Sequence, residues 1–189
     1  MDLRRKKTIR AIKNAYLQLR SKKDLEKITV TELTNAAEIS KATFYLHYHD
    51  IYELAEELEQ EVLKDVINSI PETENMLRDT SSFTEELVKC IHSQINLISL
   101  VFSGSRSNIL PESLDNELYR KFCEHFPSLK TDISFRLQLS YTVYGAYNIY
   151  SKYKNSADFK QISAVIKQYA QPLSLITNQL SARGYRSNM

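Results

Sequence analysis

Only seven of the 189 residues are glycine or proline, where an average chain of this length would carry roughly 20 or more. Sandwiches and barrels turn back about every 8–12 residues, and such residues make their turns. The scarcity therefore argues against an all-β fold, and the helical periodicity set out below predicts an all-α one. It also leaves nothing for a phosphate-cradling loop, and neither GxGxxG nor GxxxxGK[ST] occurs. With 42% hydrophobic and 25% charged residues, the chain has enough apolar material for a core and is no disordered tail. No apolar run approaches the roughly 20 residues of a membrane span. The opening MDLRRKK has no apolar stretch behind it, so no secretory leader is expected. Two cysteines, Cys90 and Cys123, make no disulfide framework, and a reducing, cytoplasmic setting is expected.

Charge is unevenly spread. Residues 1–50 carry 11 Lys/Arg against 6 Asp/Glu, while residues 51–189 carry 14 against 17. Between Ile51 and Val88 there are 11 acidic residues and only Lys64 and Arg78 to oppose them. A basic head on an acidic body points to a polyanion-binding end.

Helical periodicity accounts for nearly all of the chain. Ile9, Ile12, Tyr16 and Leu19 mark an amphipathic helix over 4–21. Thr29 and Glu32 form a capping-box pattern ahead of a short helix bearing Val30, Leu33 and Ala37. Ser40 is placed to cap a second short helix reaching about His47. Asp50 and Glu53 open a long helix with Leu54, Leu58, Val62 and Val66 on one stripe, ended by Pro71. The glutamates 53, 56, 57, 59 and 61 read as its solvated acidic face. Further helices are expected over 83–102, 112–126, 132–153 and 158–181, with a loop over 104–111 and a kink or break at Pro172. Two short helices joined by the tight Ala37-Glu38-Ile39 turn make a helix-turn-helix pattern, whose second helix enters the major groove of DNA.

The stretch Ile28-Thr29-Val30-Thr31-Glu32-Leu33, Ala37 through Asp50, and Glu53-Leu54 resembles the DNA-binding domain of the TetR family of bacterial transcriptional regulators. The resemblance covers about residues 5–66. It implies a helix-turn-helix domain over 1–50 (the motif itself about 29–48), a connecting fourth helix to about 70, and a helical effector-binding and dimerisation domain over 71–189. It further implies a homodimer joined through the last two long helices, which binds a pseudo-palindromic double-stranded operator and represses until a small molecule binds. Thr29 and Thr31, at the start of the second helix, can hold a phosphate. By resemblance Ser40 and Lys41 begin the reading helix, with Lys41 reaching phosphate or a guanine edge. Ala42 is small enough to meet a thymine methyl, and Thr43 can reach a base edge or phosphate. Tyr45 and His47 match phosphate-binding positions of the family. Phe44 and Tyr48 should be core. Arg4, Arg5 and Lys6 could form an arm over phosphates or the minor groove. Two departures stand out: Glu38 where the family turn usually has glycine, and Ile51 where many members have lysine.

In the body, Tyr141, Tyr144, Tyr147, Tyr150 and Tyr153 recur every third residue. At 100° per residue each step drifts by about 60°, so Tyr141 and Tyr150 should face opposite ways. Gly145 among them would allow close helix packing. The expected effector pocket draws on Cys90, His92, Ile95, Phe102, Phe122, Tyr141, Tyr144 and Asn148, a mostly apolar set with a few polar groups.

Cys90-x-His92 and Cys123-x-His125 are weak metal patterns, because residues two apart on a helix do not share a face. No metal and no cofactor are expected. The chain has no nucleophile elbow, HExxH, CxxC or repeated Glu-x-x-His pairs, so no enzyme is expected. The alternatives are an activator or co-regulator whose body binds a protein partner, and, further off, a metal sensor.

Overall fold

The computed structural model describes residues 3–70, 80–155 and 158–182. All the regular structure of the described residues is helical, with no strand among them. The helices are α1 (Leu3–Arg20), α2 (Val30–Ala36), α3 (Lys41–Tyr45), α4 (Ile51–Asn68), α5 (Thr80–Ser93), α6 (Ile95–Val101), α7 (Leu110–His125), α8 (Ile133–Tyr153) and α9 (Phe159–Ala182). None is long and apolar enough to cross a membrane. The chain divides into two compact units, one of Met1–Val62 with Ile95–Leu110, the other of Leu63–Gln94 with Pro111–Met189.

The first unit is built on apolar side chains from α1 to α4. Ile12, Tyr16, Leu33, Phe44 and Leu54 are all fully buried in one cluster. The local signals act as expected. The Thr29 hydroxyl accepts from the Glu32 N–H, and the Glu32 carboxylate accepts from the Thr29 N–H at 3.0 Å. The Glu53 N–H donates to the Asp50 carboxylate at 2.8 Å, satisfying one of the orphan donors of α4.

The segment from α6 to Asn108 joins this unit by both apolar and polar contacts. Ile98, Val101 and Phe102 are buried, and α6 packs on α1. Past α6, Arg20 donates to the Ser103 carbonyl at 3.1 Å and to its hydroxyl, and Ser105 donates to Glu26. Arg106 grips Glu59 with two parallel bonds of 2.6 Å each. The acidic face expected on α4 is therefore not all solvated. Glu59 is 3% exposed, and Glu57 and Glu61 pair with Lys13 at 2.6 and 2.5 Å. The cations come from elsewhere in the chain, so the acids on α4 alone could not reveal them.

Three other expectations change. The single helix over 83–102 is two, separated at Gln94; the residues on either side belong to different units. The loop over 104–111 is instead a 3₁₀ turn, Gly104–Asn108, followed by the start of α7. Proline fits there, because its missing N–H is an orphan in a first turn anyway. The helix passes Pro172 without a break. Pro71 lies outside the described residues.

The second unit holds an aromatic core. Phe122 meets Phe83 edge-on at 5.6 Å and Phe135 at 5.3 Å between ring centroids. The α5 and α8 helices both pack on α9. Asp132 caps α8 by accepting from the Phe135 N–H at 3.0 Å. Lys121, buried on α7, donates to Asn68 Oδ1 at 2.9 Å and to the Ile67 carbonyl at 3.3 Å. A cation there is well matched to the negative end of α4, while burial pulls its pKa down.

Candidate nucleic-acid interface

The α2 and α3 helices are joined by Ala37–Ser40, and one residue in that turn is strained. Glu38 has φ 54°, left-handed space that costs a residue with a Cβ about 1–2 kcal/mol. The turn is held by the Ile39 N–H, which donates to the Thr34 carbonyl at 3.0 Å. Glu38→Gly should therefore raise the unfolding free energy. The strain released is partly offset by glycine's larger unfolded-state entropy, about 0.4–1 kcal/mol, leaving a gain of about 0.5–1 kcal/mol. A urea midpoint unchanged or lowered by the substitution would contradict this.

Beyond the turn, α3 is pinned from one side. Phe44 is 0% exposed, its ring 5.8 Å from that of Tyr48. The Ser40 hydroxyl accepts from the Thr43 N–H at 3.0 Å and lies 2.8 Å from the Thr43 hydroxyl. With Phe44 anchored inward, Ser40, Lys41, Ala42 and Tyr45 are left outward and exposed. Tyr45 is 57% exposed and Leu46, which caps the helix, 81%. Thr43 is half-buried. His47 is half-buried as well, its ring centroid 6.5 Å from that of Tyr48 and its Nδ1 enclosed without a hydrogen-bond partner among the described residues.

The other expected contact residues are also at the surface. Thr29 and Thr31 are exposed at the start of α2, and Arg4, Arg5 and Lys6 on the first turn of α1. Thr29 is committed to the capping box, its hydroxyl 2.8 Å from the Glu32 carboxylate. Lys23 at 2.6 Å, with Thr29, holds the Glu32 pKa down to about 2. Ile51, where a lysine would have offered a phosphate contact, is 7% exposed and part of the core. Tyr48 is buried, its hydroxyl 3.3 Å from Glu57; burial first, then that carboxylate, pushes its pKa up.

Leu46 did not figure among the expected contact residues. Its signal was helical register: it stands four residues after Ala42, so both share a face.

The residues expected to line an effector pocket divide between the two units. Ile95 and Phe102 belong to the first unit, and Cys90, His92, Phe122, Tyr141, Tyr144 and Asn148 to the second. Phe122 is buried in the aromatic core, whereas Tyr141 is 77% exposed. Asn148 is exposed and donates to the Tyr144 carbonyl at 2.8 Å. Cys90 is half-buried. His92 stacks on Phe159 at 3.9 Å, and its Nδ1 lies 2.9 Å from the Tyr150 hydroxyl. Tyr150, 8% exposed, faces away from Tyr141 as the helical phase requires; its burial raises its pKa. Gly145 has nothing within 4 Å of where a Cβ would stand.

Among the described residues no three His, Cys, Asp or Glu side chains gather as they would around a metal ion. His125, next but one to Cys123, has its Nδ1 3.0 Å from the Lys121 carbonyl. No protein-family model matches this chain, and no curated protein matches it.

Proposed function

We propose that this chain is a DNA-binding transcriptional regulator of the TetR type, a ligand-responsive repressor that holds α2 and α3 as a helix-turn-helix and lays α3 in the major groove. The observation that carries the reading is the two-sidedness of α3. Its Phe44 is locked in the core, and its opposite side offers Ser40, Lys41, Ala42 and Tyr45 to solvent. The exposed side of this five-residue helix adds nothing to the core of its own unit. Its exposed groups are a hydroxyl, an ammonium, a methyl and a phenol, the types that meet phosphates and base edges. The surplus of positive charge in residues 1–50 adds the long-range attraction that a polyanion needs.

The test is selection of bound genomic fragments by purified protein at about 150 mM salt, where nonspecific phosphate binding is weakened. A pseudo-palindrome with half-sites one helical turn or a multiple apart, about 34–36 Å per turn, is expected. Recovery of unrelated fragments would remove the reading.

We further propose that two copies pair through α8 and α9. Ile133, Leu137, Tyr141 and Tyr144 are 69%, 63%, 77% and 39% exposed. At spacings of four, four and three they form one apolar stripe on α8. Val165 and Tyr169 on α9 are 41% and 64% exposed. Apolar surface gathered in this way marks an interface, and Gly145 leaves room beside it. Leu137→Asp is expected to halve the mass measured by sedimentation equilibrium. A monomeric wild-type protein would end this part of the proposal.

A further inference from the structure

We propose that Leu46 is a specificity residue that reads thymine, its side chain closing with the Ala42 methyl on the C5-methyl group of one thymine in each operator half-site. The inference rests on the DNA-binding reading above and deepens it. Among the described residues Leu46 is the most exposed large hydrophobic, at 81%. It is not on a loose tail. Its N–H donates to the Ala42 carbonyl at 3.2 Å, and its backbone keeps the helical conformation, φ −73° and ψ −15°. The Cβ therefore continues the outer face of α3 four residues past Ala42, which is exposed too. Phe44 steadies this face from behind, fully buried, and Tyr45, on the exposed side, meets it edge-on at 5.4 Å.

An apolar side chain held rigidly in water gains only when something apolar covers it. Its neighbours on α3, Lys41 and Tyr45, carry polar tips suited to phosphates and base edges. Within a major groove, the donors and acceptors of guanine, cytosine and adenine offer Leu46 no partner. The one apolar group on the base edges there is the thymine methyl.

Deoxyuridine substitution isolates that methyl, because it changes nothing else on the base. The probe is the duplex recovered by the fragment selection, with each thymine replaced singly and then in symmetric pairs. Wild-type protein is expected to lose about fourfold in affinity at one position per half-site, the worth of one buried methyl, and about 16-fold when both half-sites are changed. Leu46→Ala should bind the thymine and uracil duplexes equally while keeping its helical circular dichroism, since so exposed a side chain supports little of the fold.

Three results overturn the inference and are told apart. Specific binding that is indifferent to every thymine-to-uracil change removes thymine reading and leaves the DNA-binding reading intact. Discrimination that persists in Leu46→Ala assigns the methyl to another residue. If no duplex is bound specifically by the wild type, the DNA-binding reading falls, and the inference with it.

Discussion

Arg106→Ala is expected to lower the unfolding free energy by about 3–5 kcal/mol, a large part of the roughly 5–15 kcal/mol that holds an ordinary domain folded. The reason is what the substitution leaves behind. Arg106 and Glu59 have 14% and 4% of their side-chain surface exposed, and the guanidinium meets both carboxylate oxygens at 2.6 Å. Removing the arginine strands a buried carboxylate. Among the described residues the only other acid at ion-pair distance from Arg106 is Glu56 at 3.8 Å, whose side chain is 60% exposed and would simply return to water. Tyr16 on α1 is close enough for both charges to act on it, although burial is the larger cause that pushes its pKa to about 12.

A pair of this kind is strong evidence of mutual dependence and weak evidence of net stabilisation. The double variant Glu59→Leu/Arg106→Leu should therefore recover most of the loss. Urea unfolding of the wild type, the single and the double variants checks both halves. A single variant within about 1 kcal/mol of the wild type, small for an ion pair this buried, would mean that Glu59 finds water or another partner. The consequence bears on organisation. Ile95–Leu110 belongs to the first unit, and Arg106 is among its firmest attachments there.

Operator binding should fall by about 10³-fold or more between 50 and 200 mM salt. Each phosphate neutralised releases condensed counterions, so the logarithm of the affinity falls linearly with the logarithm of salt. The slope counts the contacts, and six to ten of them give about 10³–10⁵ over that range. The exposed cations of the first unit include Lys41, Arg4, Arg5 and Lys6. Lys41→Ala should reduce the slope by about one if its ammonium meets a phosphate. Should it instead read a guanine edge, the loss would concentrate on sequences carrying that guanine, at about 1–3 kcal/mol. Fluorescence anisotropy at four or more salt concentrations separates these cases. A response flat in salt would be incompatible with phosphate-dominated binding.

The features that were legible in the sequence are local ones. Thr29 and Glu32 cap α2 because a hydroxyl and a carboxylate three residues apart can reach each other's N–H within one turn. Tyr141 and Tyr150 face opposite ways because nine helical steps make a half-turn beyond whole turns. Buried Phe44 and exposed Lys41 follow from the same arithmetic on α3. Leu46 was equally within reach of it, as the residue one turn past Ala42.

What only the tertiary structure decided lies in contacts between residues far apart in the chain. Glu59 reads like its acidic neighbours on α4, and nothing within a turn of it distinguishes a solvated carboxylate from one buried under an arginine 47 positions away. The break at Gln94 carries no proline or glycine, because the two flanks serve different units. Lys121 capping the end of α4 and Arg20 holding Ser103 are likewise invisible in periodicity. Hydrogen-bond geometry and helical phase are properties of a few successive residues, so sequence determines them. Which charge is buried, and against what, depends on the packing of distant segments, and only the folded chain supplies that.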